Sequence, residues 1–191
     1  MEDKFTDIFL TNGWQSKESR SGHGSELGST QGIREHLPKI MNEYKFDTIL
    51  DIGCGDWNWF KEIDMSMDYT GVDIVKPIIE QNNKKYGNDK VKFLHMDAVN
   101  EPYGYYDLVI ARDILFHLSF ADIFKFIANL QESGTHYFLT THSGDFENKD
   151  IVTGEWRELN LFAEPLRFHK PVYGFSDNHN SREMFLFHIN T

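Results

Sequence analysis

The chain has 191 residues, 40% of them hydrophobic and 15% aromatic, which suits one folded domain with a substantial core and excludes a disordered polypeptide. A formal net charge of −11 at pH 7 disfavours nucleic acid as a partner, because phosphate binding needs clustered Lys and Arg. The single cysteine, Cys54, excludes an intramolecular disulfide, no Cys/His spacing suits a metal, and no leader pattern or bilayer-length apolar run is present, so a cytoplasmic protein without a membrane span is expected.

Residues 1–29 are polar with scattered aromatics (Phe5, Phe9, Trp14) and contain the Gly/Ser-rich stretch Ser19-Arg20-Ser21-Gly22-His23-Gly24-Ser25. They read either as a tail or as a lid that orders over a ligand, ahead of a main domain at 30–191. Ile33, Leu37, Ile40, Met41 and Tyr44 recur at helical spacing, with Pro38 predicting a kink or early break. A strand is expected over 47–52, a short helix from Trp57 to Ile63 and a second strand over 68–73. Pro77 opens a helix that Gly87-Asn88 closes after Tyr86. Strands follow at 91–95 and from Tyr106 to about Arg112.

Ser119 and Asp122 form a capping signature for a helix whose apolar face reads Phe120, Ile123, Phe124, Ile127 and Leu130. A strand over 137–140 comes next, then a patternless stretch at 142–164, then strands near 166–173 and 183–189. Strands alternating with helices predict an α/β fold with a mostly parallel sheet covered on both faces, whose ligand lies at the carboxyl ends of the strands.

Three of those strand ends deliver an acid. Asp51-Ile52-Gly53-Cys54-Gly55 ends the first, Gly71-Val72-Asp73 the second, and Met96-Asp97-Ala98 follows the third. Each acid alone is commonly a turn or cap residue. A dinucleotide site is the rival, since an acid about 20 residues past a Gly-rich turn also fits NAD, but the third glycine of G-x-G-x-x-G is missing.

Together the three motifs resemble the class I S-adenosylmethionine-dependent methyltransferases over about residues 47–141. The resemblance implies a Rossmann-like, doubly wound, three-layer αβα fold with a mostly parallel seven-stranded sheet. It implies S-adenosylmethionine as cofactor and S-adenosylhomocysteine as product. Gly53 and Gly55 would let the backbone approach the cofactor, Asp51 would engage its methionine end, Asp73 would take both ribose hydroxyls, and Asp97 the adenine amino group. Cys54, Trp57, Ile74, Ala98 and Arg112 complete the expected contact set, although Cys54 also reads as packing.

The acceptor side is less explicit. Arg112 and Asp113 fall where the methyl should point, and His117 is the best general-base candidate because its ordinary pKa lies near 6.5. No Asn/Asp-Pro-Pro-Tyr/Phe follows the fourth strand, which argues against an adenine or glutamine acceptor. The stretch 148–161, with Glu18–Ser25 and Arg112–Ser119, resembles a small bacterial methyltransferase subgroup associated with sugars and surface (capsular) polysaccharide. Ser21, His23, His142, Trp156 and Arg157 are candidate acceptor contacts, and His142, just past the fifth strand, is also a second general-base candidate. The acceptor is expected to be a small or sugar-linked molecule; an anionic one would instead call on Arg112, Arg157 or Arg167. Nucleic-acid or protein methylation and a non-catalytic cofactor-binding module are the alternatives. No metal is expected, and monomer and homodimer are both open.

Overall fold

The computed structural model describes residues 1–64, 66–177 and 181–189. Seven strands form one sheet: β1 (Thr48–Ile52), β2 (Asp68–Asp73), β3 (Val91–His95), β4 (Leu108–Ala111), β5 (Tyr137–His142), β6 (Tyr173–Ser176) and β7 (Glu183–His188). Their order is β3-β2-β1-β4-β5-β7-β6. The pairs β1–β2, β2–β3, β1–β4 and β4–β5 are parallel, while β7 runs antiparallel to both β5 and β6. The α/β sheet expected from the sequence is therefore present.

Among the described residues four α-helices cover it: α1 (Glu2–Thr11), α2 (Gln31–Tyr44), α3 (Lys76–Tyr86) and α4 (Phe120–Glu132). The buried strands alternate between two cores. Ile49, Leu108 and Ile110 face a cluster with Phe9 of α1, Ile33, Leu37, Ile40 and Met41 of α2, and Ile78 and Ile79 of α3. Leu50, Ile52, Val109 and Ala111 face the other, with Ile123, Phe126 and Leu130 of α4. On this second face Leu159, Leu161 and Leu166, from the segment without regular structure, fill the space beside α4.

Four local expectations differ. α2 passes through Pro38 unbroken; burial of Ile33, Leu37, Ile40 and Met41 at about 1.5–3 kcal/mol each outweighs the roughly 3 kcal/mol proline penalty. The Trp57–Ile63 helix is only a 3-10 turn over Phe60–Glu62. α4 buries Phe126 and leaves Phe124 exposed, because Ile123, Phe126 and Leu130 share the inward stripe. The strand expected near 166–173 begins at Tyr173, where pairing to β7 becomes available. The α4 cap is as read: Asp122 N–H donates to Ser119 Oγ (3.2 Å).

Strand order reverses between β1, which leads to β2 and β3 on one side, and β4, which leads to β5 on the other. A crevice therefore opens at the carboxyl ends of β1 and β4, as in open α/β sheets generally. Residues 1–29, read as a tail or lid, carry α1 and a 3-10 turn at His23–Ser25, and lie beside this crevice. No described helix is long and apolar enough to cross a membrane.

Candidate active site

A cavity of about 350 Å³ occupies the crevice, a size suited to a small-molecule ligand. Gly53, Gly55, Asp73, Ile74, Asp97, Ala98, Arg112, Asp113 and His117 all line it. The strand ends thus gather most of the residues named from the sequence, and Ser21, His23 and Trp156 join them from distant segments.

The glycine loop is held from within. Gly53 and Cys54 N–H both donate to Val72 O (2.8 and 3.0 Å), and Gly55 N–H donates to Asp73 Oδ2 (3.1 Å). Gly53 and Gly55 have φ of +73° and +55°, the left-handed region in which side chains are strained. A Cβ at Gly53 would strike Ile114, and one at Gly55 would strike Ser21 Oγ. Asp73 Oδ1 also accepts from Val75 N–H (2.9 Å). With one backbone donor on each oxygen, its carboxylate keeps lone pairs for a diol. Burial pushes the Asp73 carboxyl above its ordinary range, opposed by the N–H groups of Val75 and Gly55. Asp97 is oriented by Val99 N–H (3.1 Å) and Asn100 Nδ2 (2.8 Å).

Five expected contacts lie off the cavity wall. Asp51 is buried behind the loop and accepts from Tyr69 Oη (2.7 Å). Burial, opposed by the Tyr69 hydrogen bond, pushes its carboxyl up to about 7. Cys54 is buried, and burial raises its thiol. Trp57 turns away from the crevice into an aromatic cluster with Phe60, Tyr69, Tyr86 and Phe93. His142 is buried against Phe162 and Phe185, and its Nδ1 accepts from Leu161 N–H (3.2 Å). Arg157 donates to Leu118 O (2.7 Å) and lies over Phe120, beside a separate depression with Phe146, Glu147, Lys149 and Glu158. The last two residues hold parts of the 142–164 segment.

That segment has no helix or strand between His142 and Tyr173, yet it is stitched to the chain around His117. Gly154 N–H donates to His117 O (2.7 Å), Arg157 N–H to Phe116 O (3.2 Å) and Ser119 N–H to Thr153 Oγ1 (2.9 Å). One consequence is the orientation of the His117 ring. His117 Nδ1 pairs with Glu155 O (2.8 Å), and since a carbonyl can only accept, Nδ1 carries the proton and Nε2 keeps its lone pair. Burial lowers the His117 pKa, opposed by the Glu155 carbonyl and the charge of Asp113. Phe5 and Trp14 approach the imidazole, with ring centroids at 5.8 and 5.6 Å.

Arg112 is buried and spends its guanidinium on Asp177: Nε to Oδ2 is 2.8 Å and Nη2 to Oδ2 is 2.7 Å. Its Nη1 lies 3.4 Å from Asp113 Oδ2, which also accepts from Arg182 Nη1 (2.8 Å). Burial pushes the Asp177 carboxyl up to about 6, opposed by the Arg112 charge. Asp177 and Arg182 escaped the sequence reading, and the cavity-lining Phe5, Phe9, Trp14 and Arg20 were named there only as part of a tail or lid. Antiparallel β7 pairs Glu183 with His142, which brings the adjoining Asp177 and Arg182 to the end of β5.

Residues 49–133, somewhat under half of the chain, match a protein family described as "Methyltransferase domain". The strand order, with β7 inserted antiparallel, is that of the class I methyltransferase fold. The chain carries a class I S-adenosylmethionine-dependent methyltransferase domain. Solved structures share its fold. The methyltransferase domain of bacterial CtHen1-C is 15% identical, with 87% of this chain and 100% of that one covered and a TM-score of 0.64. An S-adenosylmethionine-dependent methyltransferase from Clostridium acetobutylicum is 14% identical (87% and 93% covered, TM-score 0.61). The N-methyltransferase NodS from Bradyrhizobium japonicum, in complex with S-adenosyl-L-homocysteine, is 12% identical (83% and 87% covered, TM-score 0.59). No curated protein matches the chain.

The methyltransferase cofactor suits the cavity on the residues themselves: free acceptor capacity on Asp73 and Asp97, left-handed glycines against the wall, and carboxylates around a ligand whose sulfur is cationic. Among the described residues no group of His, Cys, Asp and Glu is arranged to hold a metal.

Proposed function

We propose that the methyltransferase acts on a hydroxyl of a small, uncharged, sugar-like acceptor, such as a glycan or capsular-polysaccharide precursor. The observation that carries this reading is the His117 tautomer: Nδ1–H is committed to Glu155 O, which leaves Nε2 as the acceptor of a ring that lines the cavity. A lowered pKa keeps the imidazole neutral at pH 7, the state a general base needs. Trp14, Phe5 and Trp156 offer flat apolar faces near it, which suit the C–H face of a sugar ring.

S-adenosylmethionine, when bound, supplies an electrophilic methyl on a positively charged sulfur. Asp73 and Asp97 would hold and orient its nucleoside part, and the aromatic wall would exclude water. His117 Nε2 would hold the acceptor hydroxyl and take its proton, with the demethylated cofactor as the leaving group. Alignment contributes most of the rate, with effective molarities on the order of 10⁵ M or more for well-placed groups. Asp113, fixed by Arg112 and Arg182, biases His117 electrostatically. An anionic acceptor draws no support from Arg112, which Asp177 and Asp113 neutralise, nor from Arg157, which lies outside the cavity. Residues 1–29 act in this reading as the lid of a 30–191 catalytic domain whose last two residues lie outside the described ones, and a cytoplasmic site of action accords with the unpaired Cys54.

The test is turnover on two panels, neutral glycosides and small phosphates or carboxylates, followed by release of the demethylated cofactor. Turnover on a glycoside that His117→Ala lowers by about 10²–10⁴-fold, the range for general-base loss, is expected. Turnover confined to anions and indifferent to His117 would overturn the reading.

A further inference from the structure

We infer that Arg20 holds the carboxylate at the amino-acid end of the cofactor. With Asp73 and Asp97 serving the nucleoside, the amino-acid end falls at the loop after β1. There a Gly-rich turn would ordinarily offer its own N–H groups to an anion. Here none is left: the N–H groups of residues 53, 54, 55 and 56 are all consumed internally, by Val72 O, Val72 O, Asp73 Oδ2 and Ser21 Oγ. The surroundings are also acidic, with Asp51 behind the loop and Asp73 and Asp97 on the wall. A carboxylate entering this place needs a compensating cation.

Three arginines line the cavity: Arg20, Arg112 and Arg182. Arg112 is committed to Asp177 and Asp113, and Arg182 to Asp113. Arg20 is exposed and makes no ion pair among the described residues.

Its backbone, by contrast, is fixed to the glycine loop. Asp56, the residue after Gly55, accepts from Arg20 N–H (2.7 Å), Ser19 Oγ (2.9 Å) and Ser21 Oγ (3.3 Å). Ser21 Oγ in turn fills the space a Cβ at Gly55 would need. Asn58 Nδ2 clamps the same segment through Glu18 Oε1 (2.7 Å) and Ser25 O (3.1 Å). The segment therefore forms a second wall facing the loop, and it brings an anchored Arg with an uncommitted guanidinium opposite a loop whose N–H groups are all spent. A guanidinium binds a carboxylate in a two-pronged, charge-assisted geometry.

Calorimetry with two ligands isolates the contact. S-adenosylhomocysteine carries the carboxylate; 5′-methylthioadenosine keeps the nucleoside and sulfur but lacks the amino-acid end. Arg20→Ala is expected to weaken S-adenosylhomocysteine by about 10–100-fold, the range for a hydrogen bond to a charged group, and to leave 5′-methylthioadenosine within about twofold. Arg20→Lys should recover part of the loss. Equal losses for both ligands would reduce Arg20 to a structural role, and no loss for S-adenosylhomocysteine would remove it from the site; either overturns the inference. If the wild-type protein binds neither ligand, the cofactor assignment itself fails.

Discussion

Removing the Asp56 carboxylate should release the amino-terminal segment from the glycine loop without unfolding the sheet. Asp56→Ala deletes the acceptor of three hydrogen bonds, from Ser19 Oγ, Arg20 N–H and Ser21 Oγ. Hydrogen bonds to a charged group contribute about 1.5–3 kcal/mol each. Asp56 is only half-buried, so solvent screening brings each to about 1 kcal/mol and the set to about 3 kcal/mol. The remaining tethers, Asp56 N–H to Ser21 Oγ and Asn58 Nδ2 to Glu18 Oε1 and Ser25 O, do not involve the carboxylate. Amide hydrogen exchange reads this locally. Gly22 N–H, bonded to Ser19 O, and Ser25 N–H, bonded to Gly22 O, should lose roughly 100-fold in protection, since about 1.4 kcal/mol is a factor of ten. Core amides of β4 should be unchanged, and Asp56→Asn, which keeps one acceptor oxygen, should fall between. Unchanged protection at Gly22 and Ser25 would refute the claim that Asp56 anchors the segment.

Two pH experiments follow from buried groups. The kcat/KM profile should fall on the acid side with a midpoint below 6.5, because burial lowers the His117 pKa, and that limb should vanish in His117→Gln; a midpoint above 7 would contradict the geometry. The same lowering means that His117 contributes stability above pH 6.5 that is lost as pH falls, since the unfolded chain binds the proton more readily. Asp51 behaves in the opposite sense. Its folded pKa is raised from 3.8 to about 7, so its contribution is most favourable below pH 4 and is lost as pH rises towards 7. Asp51→Asn, which can still accept from Tyr69, should therefore gain stability relative to wild type between pH 5 and pH 8, by on the order of 2–4 kcal/mol in denaturant melts. A stability difference that is flat with pH would show that Asp51 is not protonated by its surroundings.

Much of the methyltransferase scaffold was legible because its signals are local. β2, β3 and α3 begin and end where strand runs, Pro77 and the following turn residues place them, and Ser119 caps α4 as its spacing announces. The cavity-lining acids Asp73 and Asp97 were legible because they lie at or just past a strand end. What escaped depends on contacts across long sequence separations. Ser19 and Ser21 meet Asp56 across more than thirty residues, and Arg182 and Asp177 arrive only because β7 folds back antiparallel. Trp57 misled because its position beside the glycine loop says nothing about which face of the sheet it takes; the structure gives it to the Tyr69–Phe93 cluster. His142 and Arg157 carry the right chemistry for a site but lie off the cavity wall, with His142 Nδ1 on Leu161 N–H and Arg157 Nη1 on Leu118 O, and no pattern in the chain distinguishes a wall residue from one behind it.

The central claim is that the cavity at the ends of β1 to β4 holds S-adenosylmethionine, with Asp73 taking the ribose. Calorimetric titration of S-adenosylhomocysteine into the wild type and Asp73→Ala tests it most directly. Micromolar binding by the wild type, weakened at least 100-fold by the substitution as two hydrogen bonds to a charged group are lost, is the predicted result. Equal binding by the two proteins, or none by the wild type, would contradict it.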